Sequence, residues 1–278
     1  PAPASSSARP APAEITAPGR SSGGSRSGFA SLLAAEAIKL KRSSAWVVVI
    51  LLPLLAVFAG TFNFYANREV FSQTWESLTS QMTVFYSMFF CSLGVALLTS
   101  TVWRVEHRGT SWNAMRTTPH SPIAVALAKT LVIFVPVLAM QVVFMVLAWI
   151  SGTFIMGLGP AMPLVFIVAD LLAIVGALPL IAVQSLLSML MRSFAAPVAV
   201  AFVGCVIATG LEASQSPLAY GVPQGILSMT LLLGSSAMST AGKLDAASIL
   251  PLLAAIVGLG AVLWGLLALV ARRTGGVR

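Results

Sequence analysis

Residues 123–150 read IAVALAKTLVIFVPVLAMQVVFMVLAWI. A helix needs roughly 20 mostly apolar residues to cross the hydrocarbon core of a bilayer. This run exceeds that length, with Lys129 near its start and Gln141 near its middle. Working outward, Met82–Val102 precedes it and Met162–Met191 follows, while Ala45–Phe64 and Ile249–Ala271 repeat the pattern; Ala195–Leu211 is shorter but sufficient. The expected fold is an all-α membrane protein with six transmembrane helices, at about 45–64, 82–102, 123–150, 162–191, 195–211 and 249–271.

Composition leads to the same class. The chain is 58% hydrophobic and 9% charged, with a mean hydropathy of +0.94, whereas soluble domains carry about a quarter charged residues. A further apolar run, Val222–Leu233, would rise only about 18 Å as a helix, short of the roughly 30 Å core. It reads as re-entrant or interfacial, within an outer segment at 213–247. Six spans with both termini cytoplasmic leave only Arg68 and Lys243 of the 16 Lys and Arg residues outside, as the positive-inside bias requires. A seventh span would send Arg272 and Arg273 outward. The net charge of +8 thus reports topology and contact with anionic lipid, not nucleic acid.

Between the second and third spans lies a charged island, WRVEHRGTSWNAMRTTP over 103–119. The loop 103–121 is too short for a catalytic domain and long enough for a hairpin carrying a short helix. That size suits a mechanical contact. His107 and His120 share it, but neither has a Cys or Asp at ligand spacing, so no metal site is expected. Cys91 and Cys205 fall inside spans and read as buried thiols acting as small apolar residues.

Residues 1–27 are rich in Pro, Ala, Ser and Gly, too poor in bulky apolar groups to offset the entropy of ordering. They read as a disordered cytoplasmic tail, with no apolar stretch and small-residue cleavage site of the kind a secretory signal peptide carries. The transmembrane domain is expected over 28–278, and it opens with an amphipathic interfacial helix at 28–43. At 100° per residue, Phe29, Leu32, Leu33, Ala37 and Leu40 form one stripe, while Lys39, Lys41 and Arg42 point toward headgroups. Glu36 lands inside the apolar stripe. Two readings stand for it: a Glu36–Lys39 pair at i, i+3, or a cation on another element, Arg104 or Arg108.

Asn67–Ser80 reads as a short outer loop with Trp75 as an interfacial anchor. Asp170 stands in the fourth span, where an ionisable group costs several kcal/mol unless paired or wetted. Gln184 lies about 40° away on the same helix, on a polar, small-residue stripe. Helix packing and a translocation surface both fit, and Gln141 in the third span is equally open. With Tyr220 in the outer loop, Gln141, Asp170 and Gln184 are the translocation-pathway candidates. Pro136 and Pro179 each remove a helix hydrogen bond and are expected to kink their helices.

No G-x-x-x-x-G-K-[ST] occurs; Gly242-Lys243-Leu244 lacks both the hydroxyl and the first glycine, so no nucleotide binds through a P-loop. There is also no H-E-x-x-H, and no G-x-S-x-G falls within a span. The chain is not expected to be an enzyme, nor to hold a cofactor.

At Glu106-x-x-Gly109-Thr110, Thr118-Pro119 and Lys129 the sequence resembles the permease subunits of ABC-2 type exporters, although the gap between Glu and Gly is one residue shorter than their usual E-x-x-x-G-T. The entry segment, AEAIKLKRSSAW over 35–46, looks like the opening of lantibiotic-immunity and bacitracin-type ABC permeases, and Tyr220-Gly-Val-Pro223 is similar to a Pro-containing motif of that group. The resemblance covers nearly everything after Phe29. It implies a multi-pass protein of the bacterial plasma membrane, working with a second permease copy or paralogue on two ABC ATPase subunits that hold ATP and magnesium. It also implies a coupling helix in 103–121, with Trp112 and Met115 filling a groove of the ATPase and Glu106, Arg108, Gly109 and Arg116 setting its orientation. The expected activity is ATP-driven export of an amphipathic antibiotic or peptide. An ion-coupled secondary transporter using Asp170, or a membrane sensor or scaffold without transport, are the alternatives.

Overall fold

The computed structural model describes residues 28–105, 107, 121–237 and 241–275. Among them, six helices are long and apolar enough to cross a membrane. In chain order the elements are α1 (Gly28–Lys41), α2 (Ala45–Ala66), α3 (Trp75–Arg104), α4 (Pro122–Ile155), α5 (Leu164–Leu190) and α6 (Ala195–Ala213). A 3₁₀ turn at Pro217–Gly221 leads to the short α7 (Pro223–Leu231), and α8 (Ala246–Gly275) closes the chain.

Cross-links near both ends of the helices define the two ends of the bundle. At one end Glu36 meets Lys129, Ser100 Oγ meets Ser188 Oγ at 3.2 Å, and the Arg104 guanidinium lies 5.2 Å from the Phe194 ring. At the other, Thr61 and Ser151 hydroxyls are 2.8 Å apart, and Ser236 donates through its backbone N–H and its hydroxyl to Ser80 Oγ at 2.8 and 3.0 Å. The first end also gathers Lys41, Arg42, Arg192, Arg272 and Arg273. It is the basic end.

The second span begins seven residues before the expected Met82. Thr74 caps it by accepting from Ser77 N, and the polar residues Thr79, Ser80, Gln81 and Thr83 are buried in its first turns. Three of them have hydrogen-bond partners, which lowers the cost of burial: Thr79 donates to the Trp75 carbonyl at 2.8 Å, Ser80 accepts from Ser236, and Gln81 accepts from Asn63 at 2.8 Å. Trp75 is not an exposed anchor. It is buried, and its indole N–H donates to the Leu158 and Gly159 carbonyls at 3.1 and 3.2 Å. Gly152 makes this possible, since a Cβ there would stand 2.1 Å from the Trp75 ring. Gly60 does the same for backbones, because its Cβ would stand 2.4 Å from Met82 Cα.

The two prolines act differently. α5 divides at Ala177, with Pro179 in the first turn of its second half, a position where the missing N–H would be unpaired anyway. α4 runs as helix straight through Pro136, and it ends in a π turn at Ser151–Ile155. The run 222–233 folds as the helix α7, whose Gln224–Ser228, Thr230 and Leu231 are buried against α5, α6 and α8.

Candidate functional site

The charged loop leaves the bundle at the C-terminal end of α3 and returns through Ser121, whose hydroxyl accepts from Ala124 N at 3.2 Å to cap α4, with Pro122 at the first helical position. Glu106, Arg108, Gly109, Trp112, Met115 and Arg116 lie outside the described residues. Their mounting does not. Trp103 is buried at the exit, and the Lys129 ammonium stands 5.6 Å from its ring centroid. His107 Nε2 lies 2.7 Å from the Ser188 carbonyl on α5. The departing end of the loop is thus fastened, between Trp103 and His107, to α4, to α5 and to Phe194 just before α6.

Lys129 is 0% exposed and lies at the centre of this mounting. Its Nζ is 2.8 Å from Glu36 Oε2, while Lys39 Nζ is 2.6 Å from Glu36 Oε1. Glu36 therefore bridges two ammonium groups, one buried and one half-exposed. The i, i+3 pair forms, but the cation from another element is Lys129, not Arg104 or Arg108: Arg104 turns to Phe194, and Arg108 lies outside the described residues. Sequence separation explains why Lys129 was not expected, since it is 93 residues from Glu36. The stripe of α1 also changes meaning. Leu40 and Glu36 are buried and Leu32 and Leu33 half-buried against α4, whereas Phe29 and Ala37 are exposed.

Burial pushes the Glu36 carboxyl up, but the two ammonium groups pull it further down, so its pKa lies below the ordinary value of 4.5. A buried carboxylate held by two cations is a rigid joint, because removing one partner leaves a charge without compensation. The arrangement binds α1 to α4 and, through Trp103, to the last turn of α3.

The four pathway candidates separate. Gln141 and Asp170 come together: the Gln141 amide donates to Asp170 Oδ1 at 3.3 Å, and its carbonyl accepts from the Tyr86 hydroxyl. Asp170 Oδ2 and both polar atoms of Gln184 have no hydrogen-bond partner among the described residues, and all three side chains are buried. Tyr220 lines a cavity of about 500 Å³ at the opposite end of the bundle, together with Glu212, Ser216, Met229, Leu233 and Leu252. Glu212 is a residue sequence reasoning missed; its place, an acid near the end of an apolar span, was the available signal. Cys91 and Cys205 are buried free thiols. Among the described residues no three His, Cys, Asp or Glu side chains gather as a metal site would need.

Residues 32–208, well over half of the chain, match the family model described as ABC-2 family transporter protein. The match runs from α1 through most of α6 and ends before Glu212. No curated protein and no solved structure matches the chain.

Proposed function

Since the chain belongs to the ABC-2 family of transporter proteins and is thereby a membrane permease of an ABC transporter, we propose that it serves an exporter, moving an amphipathic antibiotic or peptide out of the membrane. In this reading the basic end faces the cytoplasm of a bacterium, with both termini on that side. ATP and magnesium are held by two separate ATPase subunits, a second permease copy or paralogue completes the complex, and residues 103–121 form the coupling helix. The biological role is antibiotic resistance or lantibiotic immunity.

The observation that carries the reading is the joint of Glu36, Lys129 and Trp103 at the root of the loop. A loop that pushes must be mounted stiffly, otherwise the motion of its partner is absorbed where it joins the helices. Here α1, α3 and α4 meet in one buried ion cluster. ATPase closure against Trp112 and Met115 would tilt them together, as rigid elements do in shear and hinge transitions. The missing P-loop fits a division of labour in which the chemistry sits on another chain.

Reconstitution tests it. The permease in vesicles with its co-purifying P-loop ATPase is expected to hydrolyse ATP faster when an amphipathic peptide or polyether antibiotic is added, and to move that compound only with ATP. Transport that proceeds without an ATPase, driven by a proton gradient and lost in Asp170→Asn, would overturn it.

A further inference from the structure

The cavity at the end of the bundle opposite the loop is lined by the last turn of α6, the 3₁₀ turn, α7 and the start of α8. At about 500 Å³ it has the size of a small-molecule site. Its floor is apolar, with Met229, Leu232, Leu233 and Leu252, and its polar groups include Glu212, Tyr220 and Ser248. Among the described residues Glu212 is its only acidic lining group, and no Lys or Arg lines it. Glu212 Oε2 accepts from Ser228 Oγ at 2.9 Å, but Oε1 is shielded from solvent and has no hydrogen-bond partner among the described residues. At the rim, Gln215 holds φ at 55°, a left-handed conformation uncommon for a residue other than glycine.

A carboxylate withdrawn from water with an oxygen left unpaired is costly, and a hydrogen-bonding cation removes that cost. The face of a tyrosine ring attracts the same cation. We propose that this cavity binds an amphipath carrying one ammonium group, with the ammonium paired to Glu212 after a rotation of its side chain, supported by the Tyr220 ring, and with the apolar body resting on Met229, Leu232, Leu233 and Leu252. The proposal rests on the export reading for the route by which the ligand arrives. It places the last binding station of that route at the outer end of α6 and narrows the substrate class to organic amines.

Dansylcadaverine, a primary amine with an apolar fluorescent body, is the probe, titrated against the full-length permease purified in detergent without ATPase, with micelle background subtracted. Wild type is expected to bind with blue-shifted emission, and the N-acetylated probe, which has lost the charge, at least tenfold more weakly. Glu212→Gln is expected to weaken the amine at least tenfold with elution profile and melting temperature unchanged, Glu212→Asp to keep most of the affinity, and Glu76→Gln, an exposed acid at the same end, to change nothing. Equal binding of the amine and its acetylated form by wild type, or an undiminished affinity in Glu212→Gln, overturns the site. Because no ATPase is present, failed binding removes this site and leaves ATP-driven export standing, whereas loss of ATP coupling in the reconstituted complex leaves the binding result standing.

Discussion

Lys129 and Lys39 both contact one carboxylate, yet their removal should have unequal consequences. Lys129 is fully buried and Lys39 is 43% exposed. Breaking a buried pair costs about 3–5 kcal/mol because it strands a charge; with Lys39 left to hold Glu36, Lys129→Met should fall near about 3 kcal/mol. Lys39→Ala removes a largely solvent-screened partner and should cost under about 1 kcal/mol. Thermal unfolding in detergent checks the asymmetry, and equal losses would refute the buried joint. The acid dependence follows from the same geometry. A carboxylate whose folded pKa is depressed contributes stability above its unfolded value, and that contribution is lost as pH falls through the folded one. The Glu36 contribution should therefore be complete above about pH 5 and fade below 4.5, and Glu36→Gln should flatten that part of the pH–stability profile. Glu36 was legible in the sequence as an anomaly, an acid on an apolar stripe. Its partner was not, because pairing across 93 residues depends on how α1 lies against α4 and no local spacing encodes it.

At the scale of elements, close helix approach is concentrated at a few glycines. Gly60 on α2 faces the backbone of α3, which cannot yield, while at Gly210 on α6 no atom of a neighbouring element lies within 4 Å of where a Cβ would stand. Gly60→Ala should therefore separate α2 from α3 and destabilise by about 1–3 kcal/mol. Gly210→Ala should stabilise by about 0.5–1 kcal/mol, since alanine loses less backbone freedom in a helix. Melting temperatures of the two variants, expected to move in opposite directions, check this. The six spans were readable because span length is set by bilayer thickness and needs no tertiary information. The start of α3 was not, because Thr79, Ser80, Gln81 and Thr83 look like a loop by polarity and become helical only when neighbouring elements satisfy and cover them. Trp75 was misplaced for a related reason: an indole that finds two carbonyls inside the protein has no need of the headgroup region.

Across the whole molecule the proposed function gives the two ends different tasks. The basic end holds the stiffly mounted loop, the opposite end holds the cavity, and between them the Tyr86–Gln141–Asp170 cluster joins α3, α4 and α5. We propose that this cluster serves packing, since Gln141 donates to Asp170 Oδ1 and accepts from the Tyr86 hydroxyl. Asp170→Asn should leave ATP-driven transport within about twofold of wild type, measured in reconstituted vesicles, since an amide accepts the same hydrogen bond. The central claim is that force enters through residues 103–121. The most direct measurement is co-purification of the ATPase with Trp112→Ala, followed by transport by whatever complex is recovered. The account predicts a permease that inserts and folds normally, retains little ATPase and does not transport. Wild-type complex yield together with wild-type transport would contradict it.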